Sequence, residues 1–170
     1  MPITATPIGQ ILVQMGFITE KQRQYILDRQ RECGRPFGEL AEEIFGVSAR
    51  DVETAWAEQY STMTRHVDPT LEHVDPAVLP LVHRRQAWQF RVLPLRYEGG
   101  ELLLCTTREH LVRALNFTTA HLNVPAFLVL ADPESLGEAL MRHYPMDGMS
   151  RETVRGSAPE SAPGRGRAPR

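Results

Sequence analysis

Residues 7–30, PIGQILVQMGFITEKQRQYILDRQ, and residues 36–59, PFGELAEEIFGVSARDVETAWAEQ, carry one pattern twice, aligned without a gap at an offset of 29 positions. Pro7/Pro36, Gly9/Gly38 and Gln30/Gln59 are identical. Apolar character is kept at Ile8/Phe37, Ile11/Leu40, Leu12/Ala41, Met15/Ile44, Ile18/Val47, Ile26/Ala55 and Leu27/Trp56, and a hydroxyl at Thr19/Ser48. A period in this range marks a duplicated supersecondary unit. In the first copy Ile8, Ile11, Leu12 and Met15 fall at i, i+3, i+4 and i+7, one face of a short helix. Gly16 ends it, and Thr19-Glu20-Lys21-Gln22 has the form of a capping box that opens a longer helix to about Arg31. The second copy repeats this with Phe37, Leu40, Ala41 and Ile44, a break at Phe45-Gly46, and Ser48 to Asp51 as a looser cap. Cys33-Gly34-Arg35-Pro36 joins the copies. Residues 1–60 are therefore expected to form a four-helix bundle from two tandem helix-turn-helix repeats.

Residues 61–72 (STMTRHVDPTLE) lose this periodicity and read as a connector. Over residues 73–145 a different pattern holds. Asp75-Pro76 predicts a helix start, with Val78, Leu79, Leu81 and Val82 as its apolar side. Phe90–Arg96 and Glu101–Thr106 flank Glu98-Gly99-Gly100 as a β-hairpin. A helix is expected over Arg108–Leu122, a strand over Val124–Ala131, and a helix capped by Asp132-Pro133 from there to Tyr144. The order α-β-β-α-β-α predicts a small sheet with helices packed on it, so the whole chain is of α+β class. Residues 146–170 turn to Gly, Ser, Pro, Ala and Arg and read as a disordered tail, with too little apolar surface to offset its ordering entropy.

Composition excludes several functions. The formal net charge is −2, and residues 1–60 set Lys21, Arg23, Arg29, Arg31, Arg35 and Arg50 against nine acidic residues. That balance opposes a DNA-binding reading of the helix-turn-helix units, because phosphate neutralisation supplies most non-specific affinity. Cys33 and Cys105 are isolated and read as free, partly buried thiols. No apolar run approaches a membrane span, and MPITATPIGQ lacks a signal-peptide pattern, so a cytoplasmic location without membrane insertion is expected.

Phosphate-loop, dinucleotide, zincin and nucleophile-elbow motifs are missing, and the six histidines lie too far apart for a metal site. Neither a catalytic site nor a metal site is expected. The glutamines that close the two copies, Gln30 and Gln59, offer both donor and acceptor; as a recurring pair they suit a ligand such as a nucleobase edge, and singly each is an ordinary helix-end amide.

The tandem pattern resembles the motif of MshEN-type domains, found at the N-terminus of type II secretion and type IV pilus assembly ATPases (GspE/PilB-like). Residues 73–144, with VLPLRYEGGELLLC and the closing ALMRHY, resemble the second subdomain of the same region, so the resemblance spans about residues 7–144. It implies a tandem motif that binds cyclic di-GMP through apolar contacts, an arginine, backbone groups and the closing glutamine. By position Ile8, Gly9, Gln30, Gly38 and Gln59 match that motif. The motif's arginine is replaced by Pro7 and Pro36, the first leucine of the long helix is Arg23 in copy one, and Phe45 aligns with Gly16. Arg35, one residue out of register, is the candidate substitute for the arginine. The family's ATPase domain is absent from the sequence, which implies a non-enzymatic regulatory or adaptor module that docks on a protein of a secretion, pilus or motility machine. The alternative is a cyclic di-GMP receptor, and a DNA-binding regulator is the lesser one. No cofactor is expected, cyclic di-GMP being the regulatory ligand that the resemblance offers.

Overall fold

A computed structural model describes residues 6–154. The first copy supplies helices α1 (Ile8–Gln14) and α2 (Glu20–Cys33), and the second supplies α3 (Phe37–Phe45) and α4 (Ala49–Met63). The Thr19 hydroxyl accepts from the Gln22 N–H at 3.1 Å while the Gln22 side chain accepts from the Thr19 N–H at 2.9 Å, closing the capping box. Ser48 repeats half of it, accepting from the Asp51 N–H at 3.1 Å. The copies interlock: α1 packs chiefly on α4, and α2 on α3, so each short helix lies on the long helix of the other copy. Neither copy has a core of its own. They share one, built from Ile11, Leu12, Ile18, Ile26, Phe37, Leu40, Ala41 and Ala55. Met15, assigned by periodicity to the inner face, is 39% exposed, because α1 stops at Gln14 and the chain turns away at Gly16.

The second half is a three-stranded sheet covered by helices. Its elements are α5 (Arg84–Phe90), β1 (Leu93–Glu98), β2 (Glu101–Thr106), α6 (Leu111–His121), β3 (Ala126–Leu130) and α7 (Pro133–His143). The α-β-β-α-β-α order is the expected one. Strands β1 and β2 pair antiparallel across Gly99-Gly100, whose φ values of +57° and +85° suit the tight hairpin turn. Strands β2 and β3 pair parallel, with α6 as the crossover that a parallel pair requires. Leu102 to Leu104 of β2, Leu128 to Leu130 of β3, Trp88 of α5 and Leu136 and Leu140 of α7 meet in a second, larger core.

Three expectations differ from the structure. No α-helix begins at Asp75-Pro76. The Asp75 carboxylate accepts from the Ala77 N–H at 2.9 Å, and only a 3-10 turn forms at Leu79–Leu81, because Pro80 lacks the donor a helix needs and crowds the preceding turn. The helix lies further on, at α5, whose seven residues are too few to show a period. Residues 146–154 do not behave as a tail: Met146 and Met149 pack on the core, a 3-10 turn at Arg151–Val154 lies on α7, and Val154 is 0% exposed. Three spaced apolar residues suffice to dock so short a segment. Residues 155–170, the rest of the expected disordered tail, lie outside the described residues. Finally, α4 runs through Met63, three residues into the stretch read as connector, because Tyr60 packs on the second core and Ser61 is buried.

The segment after α4 is stitched to the sheet. His66 forms an isolated parallel bridge with Leu130; the Val67 N–H donates to the Leu130 carbonyl at 2.8 Å, and the Leu130 N–H to the Arg65 carbonyl at 3.1 Å. Beside it the Tyr60 hydroxyl donates to the Leu128 carbonyl at 3.1 Å and accepts from the Leu128 N–H at 3.2 Å. The Thr64 hydroxyl adds a bond of 2.7 Å to the same carbonyl, and Arg108 pairs with Glu58 across the seam. Burial raises the Tyr60 pKa above its ordinary value, which keeps this hydroxyl a donor. Cys105 is buried in β2, where desolvation pushes its thiol pKa up, and Cys33 is exposed at the end of α2.

Candidate functional site

The two glutamines hold the bundle's entrances. Pro7 and Pro36 precede α1 and α3 with nearly identical backbone angles, φ/ψ −59°/143° and −58°/142°. The carbonyl just before each proline precedes its helix. The Gln30 side-chain N–H donates to the Arg35 carbonyl at 3.1 Å, and the Gln59 side-chain N–H donates to the Thr6 carbonyl at 3.0 Å. Thr6 and Arg35 occupy equivalent positions in the two copies. Each long helix therefore ends by tying down the start of a short helix of the other copy, and the duplication closes into a ring.

Gln30→Ala and Gln59→Ala are accordingly each expected to lower stability by about 0.5–1.5 kcal/mol, the net worth of a partly buried hydrogen bond. Urea unfolding midpoints check this. An unchanged midpoint would show that these bonds carry no net stability.

The paired glycines are sites of close approach. A Cβ on Gly9 would lie 2.7 Å from the Phe37 ring, and one on Gly38 would lie 2.7 Å from a Val52 methyl. Phe37 thus fills the space over Gly9. Val52 covers Gly38 in turn, and beside it Ile8, the smaller counterpart of Phe37, lines a groove of about 390 Å3. Ile8, Val52, Trp56 and Leu115 give the groove an apolar surface, α6 closing the wall opposite α3 and α4. Glu39, Glu42 and Glu53 also line it, and among the described residues no lysine or arginine does.

Arg35, the candidate substitute for the motif's arginine, is occupied. Its guanidinium pairs with Glu39 at 2.6 Å and with Glu43 at 2.6 Å, and these two bonds raise its pKa further. Of the sequence-derived site residues, Ile8 and Gly38 share the groove, Gly9 is buried beneath Phe37, and Gln30, Arg35 and Gln59 are engaged in contacts within the bundle. The contribution of α6 through Val112, Leu115 and Asn116 was beyond sequence reasoning, because it comes from the second half of the chain. Trp56 carried a signal: it is the large residue standing where copy one has Leu27. Among the described residues no group of histidine, cysteine and carboxylate side chains could hold a metal ion, and no helix is long and apolar enough to cross a membrane.

Comparison with known proteins places the chain. The MshEN domain model matches residues 59–150, more than half of the chain, and the match falls on the second half rather than on the tandem copies. Among solved structures the chain is similar to a structure of MshE with cdg, at 23% identity and a TM-score of 0.46, covering 82% of this chain and 99% of that one. It is also similar to the N-terminal domain of XpsE, at 18% identity and a TM-score of 0.41, covering 85% and 99%. No curated protein matches the sequence. With the match running from the end of α4 through α5, the three strands, α6 and α7, the chain belongs to the MshEN domain family.

Proposed function

We propose that the chain is a non-catalytic docking module whose groove between α3, α4 and α6 receives an apolar segment bearing lysine or arginine, presented by a protein of a secretion, pilus or motility machine. One observation carries this reading: the apolar surface of Ile8, Val52, Trp56 and Leu115 is accompanied by Glu42 and Glu53, and by Glu39, which Arg35 already pairs, while among the described residues no cation lines the groove. An apolar groove favours an amphipathic segment, and its charge selects a basic one. The same charge opposes the alternative of a cyclic di-GMP receptor, since two phosphates would enter beside like charges and the nearby guanidinium of Arg35 is already held by two glutamates. The bond made by each closing glutamine supports the same preference.

Trp56 lines the groove whereas Trp88 is fully buried, so Trp56 reports on occupation. A synthetic helical peptide of leucine and lysine is expected to shift Trp56 emission saturably, and a leucine–glutamate peptide is not. Replacing Glu39, Glu42 and Glu53 together by lysine should invert the preference. Equal responses to both peptides would remove the basis for the proposed partner. In parallel, calorimetric titration with cyclic di-GMP is expected to give no saturable heat at high micromolar ligand. Saturable binding, lost in Gln30→Ala with the fold intact, would instead establish the receptor reading.

A further inference from the structure

A second groove, of about 770 Å3, lies on the sheet half of the molecule, between the 3-10 turn at Leu79–Leu81, the start of α5 and the end of α7. Two bonds, one buried and one partly buried, tie its frame together. The Trp88 indole N–H donates to the Tyr144 carbonyl at 2.8 Å, and the Tyr144 hydroxyl donates to the Leu79 carbonyl at 2.7 Å. Val82 and Tyr144 give it an apolar floor, and His83, Arg84, Arg85 and His143 surround that floor, with no carboxylate in the lining among the described residues.

The arginines here differ from most of the other described arginines. Arg23, Arg29, Arg31, Arg35, Arg65, Arg96, Arg108, Arg142 and Arg151 each meet a carboxylate, and Arg91 and Arg113 donate to backbone carbonyls. Among the described residues Arg84 and Arg85 have no such partner, and apart from them only Arg50, on the bundle, has none. Two adjacent unpaired guanidinium groups beside a buried apolar floor present a donor array without a partner, whereas most of the other described arginines meet a carboxylate.

We propose that this groove binds a phosphorylated ligand, with phosphate oxygens on Arg84 and Arg85 and the carbon portion of the ligand over Val82 and Tyr144. Donor count favours phosphate over carboxylate. Two guanidinium forks offer more N–H groups than the two oxygens of one carboxylate can engage, whereas a terminal phosphate brings three oxygens and nearly two charges. A soluble phosphate ester and the headgroup of a phosphatidate-type lipid share this chemistry.

The test compares the whole chain with an Arg84→Glu, Arg85→Glu variant, using Arg50→Glu as a control for general charge. Both arginines of the groove are exposed, so the variant should fold, as circular dichroism would verify. Should it not fold, Arg84→Gln with Arg85→Gln replaces it. The probes are phenyl phosphate and pyrophosphate by calorimetry, and sedimentation with phosphatidylcholine vesicles with and without phosphatidic acid. The expected result is saturable binding of one of these probes, weakened at least about tenfold in the double variant and unchanged in the control. Response to the soluble phosphates identifies a free ester as the ligand, and response only to the phosphatidic acid vesicles identifies the lipid headgroup. Absence of binding to all probes, equal weakening by Arg50→Glu, or tighter binding of a polyglutamate peptide than of any phosphate would overturn the proposal.

Discussion

Trp88→Ala is expected to cost about 3–5 kcal/mol, the range for removing a large aromatic side chain from a packed core. Trp88 is 1% exposed and lies in the core of the second half, with its indole N–H on the Tyr144 carbonyl at 2.8 Å. The substitution leaves a cavity that the rigid sheet cannot close, and it removes the donor of a buried carbonyl, which adds about 1 kcal/mol. Against a total stability of roughly 5–15 kcal/mol, such a loss leaves the second half marginal at 37 °C. Trp88→Phe keeps most of the volume and should lose only about 1–2 kcal/mol. Denaturant unfolding of the two variants separates packing from hydrogen bonding. A loss below about 1 kcal/mol for the alanine variant would mean that Trp88 does not sit where its burial implies.

Gly137→Val is expected to cost roughly 2–4 kcal/mol, through a different route. A Cβ at Gly137 would lie 2.4 Å from the Arg151 carbonyl oxygen and 2.7 Å from its Cα. These are backbone atoms, so no rotamer change relieves the clash and residues 150–154 must lift from α7. Lifting exposes Val154 and breaks the 2.9 Å bond from the Arg91 guanidinium to the Thr153 carbonyl. Trypsin should then cut after Arg151 much faster in the variant than in the parent. Gly137→Ala should show a smaller effect, because alanine gains about 1 kcal/mol over glycine in a helix interior and so offsets part of the clash. If valine left tryptic cleavage unchanged, the close packing of α7 on this turn would be refuted.

Local chemistry made much of this fold legible. The capping box at Thr19 and the Gly99-Gly100 hairpin are short-range devices that stand where the pattern put them, and the last helix begins at Asp132-Pro133 as expected, although the Asp132 side chain makes no cap bond. Pairwise and longer-range effects were not legible. Sequence shows that residues 7–30 and 36–59 are alike, but it does not say that each short helix exchanges onto the long helix of the other copy. Nor does it reveal that Phe37 covers Gly9, or that Gln30 and Gln59 spend their amides on Arg35 and Thr6. The recurrence of these glutamines was visible and its structural use was not, because identity at equivalent positions follows from closing a pseudo-symmetric ring as naturally as from gripping a ligand. Val154 escaped for another reason: a single apolar residue within polar sequence carries no period.

The stitch between Tyr60, Thr64, His66 and the β3 strand has a kinetic consequence. Contacts that close the bundle, such as the one from Gln59 to Thr6, need only the first sixty or so residues. Those from Tyr60 and Thr64 reach forward 68 and 64 positions, to Leu128. Contacts of such long sequence separation form late, since the loop they close carries an entropic cost before any contact repays it. On the ribosome the helical repeats can therefore assemble while β3 is still unmade, leaving Tyr60 and the end of α4 bare. Joining of the two halves then becomes a separate, slower step. Stopped-flow refolding should show it as a second phase, slowed by Tyr60→Phe, while the faster phase, from the bundle, is unaffected.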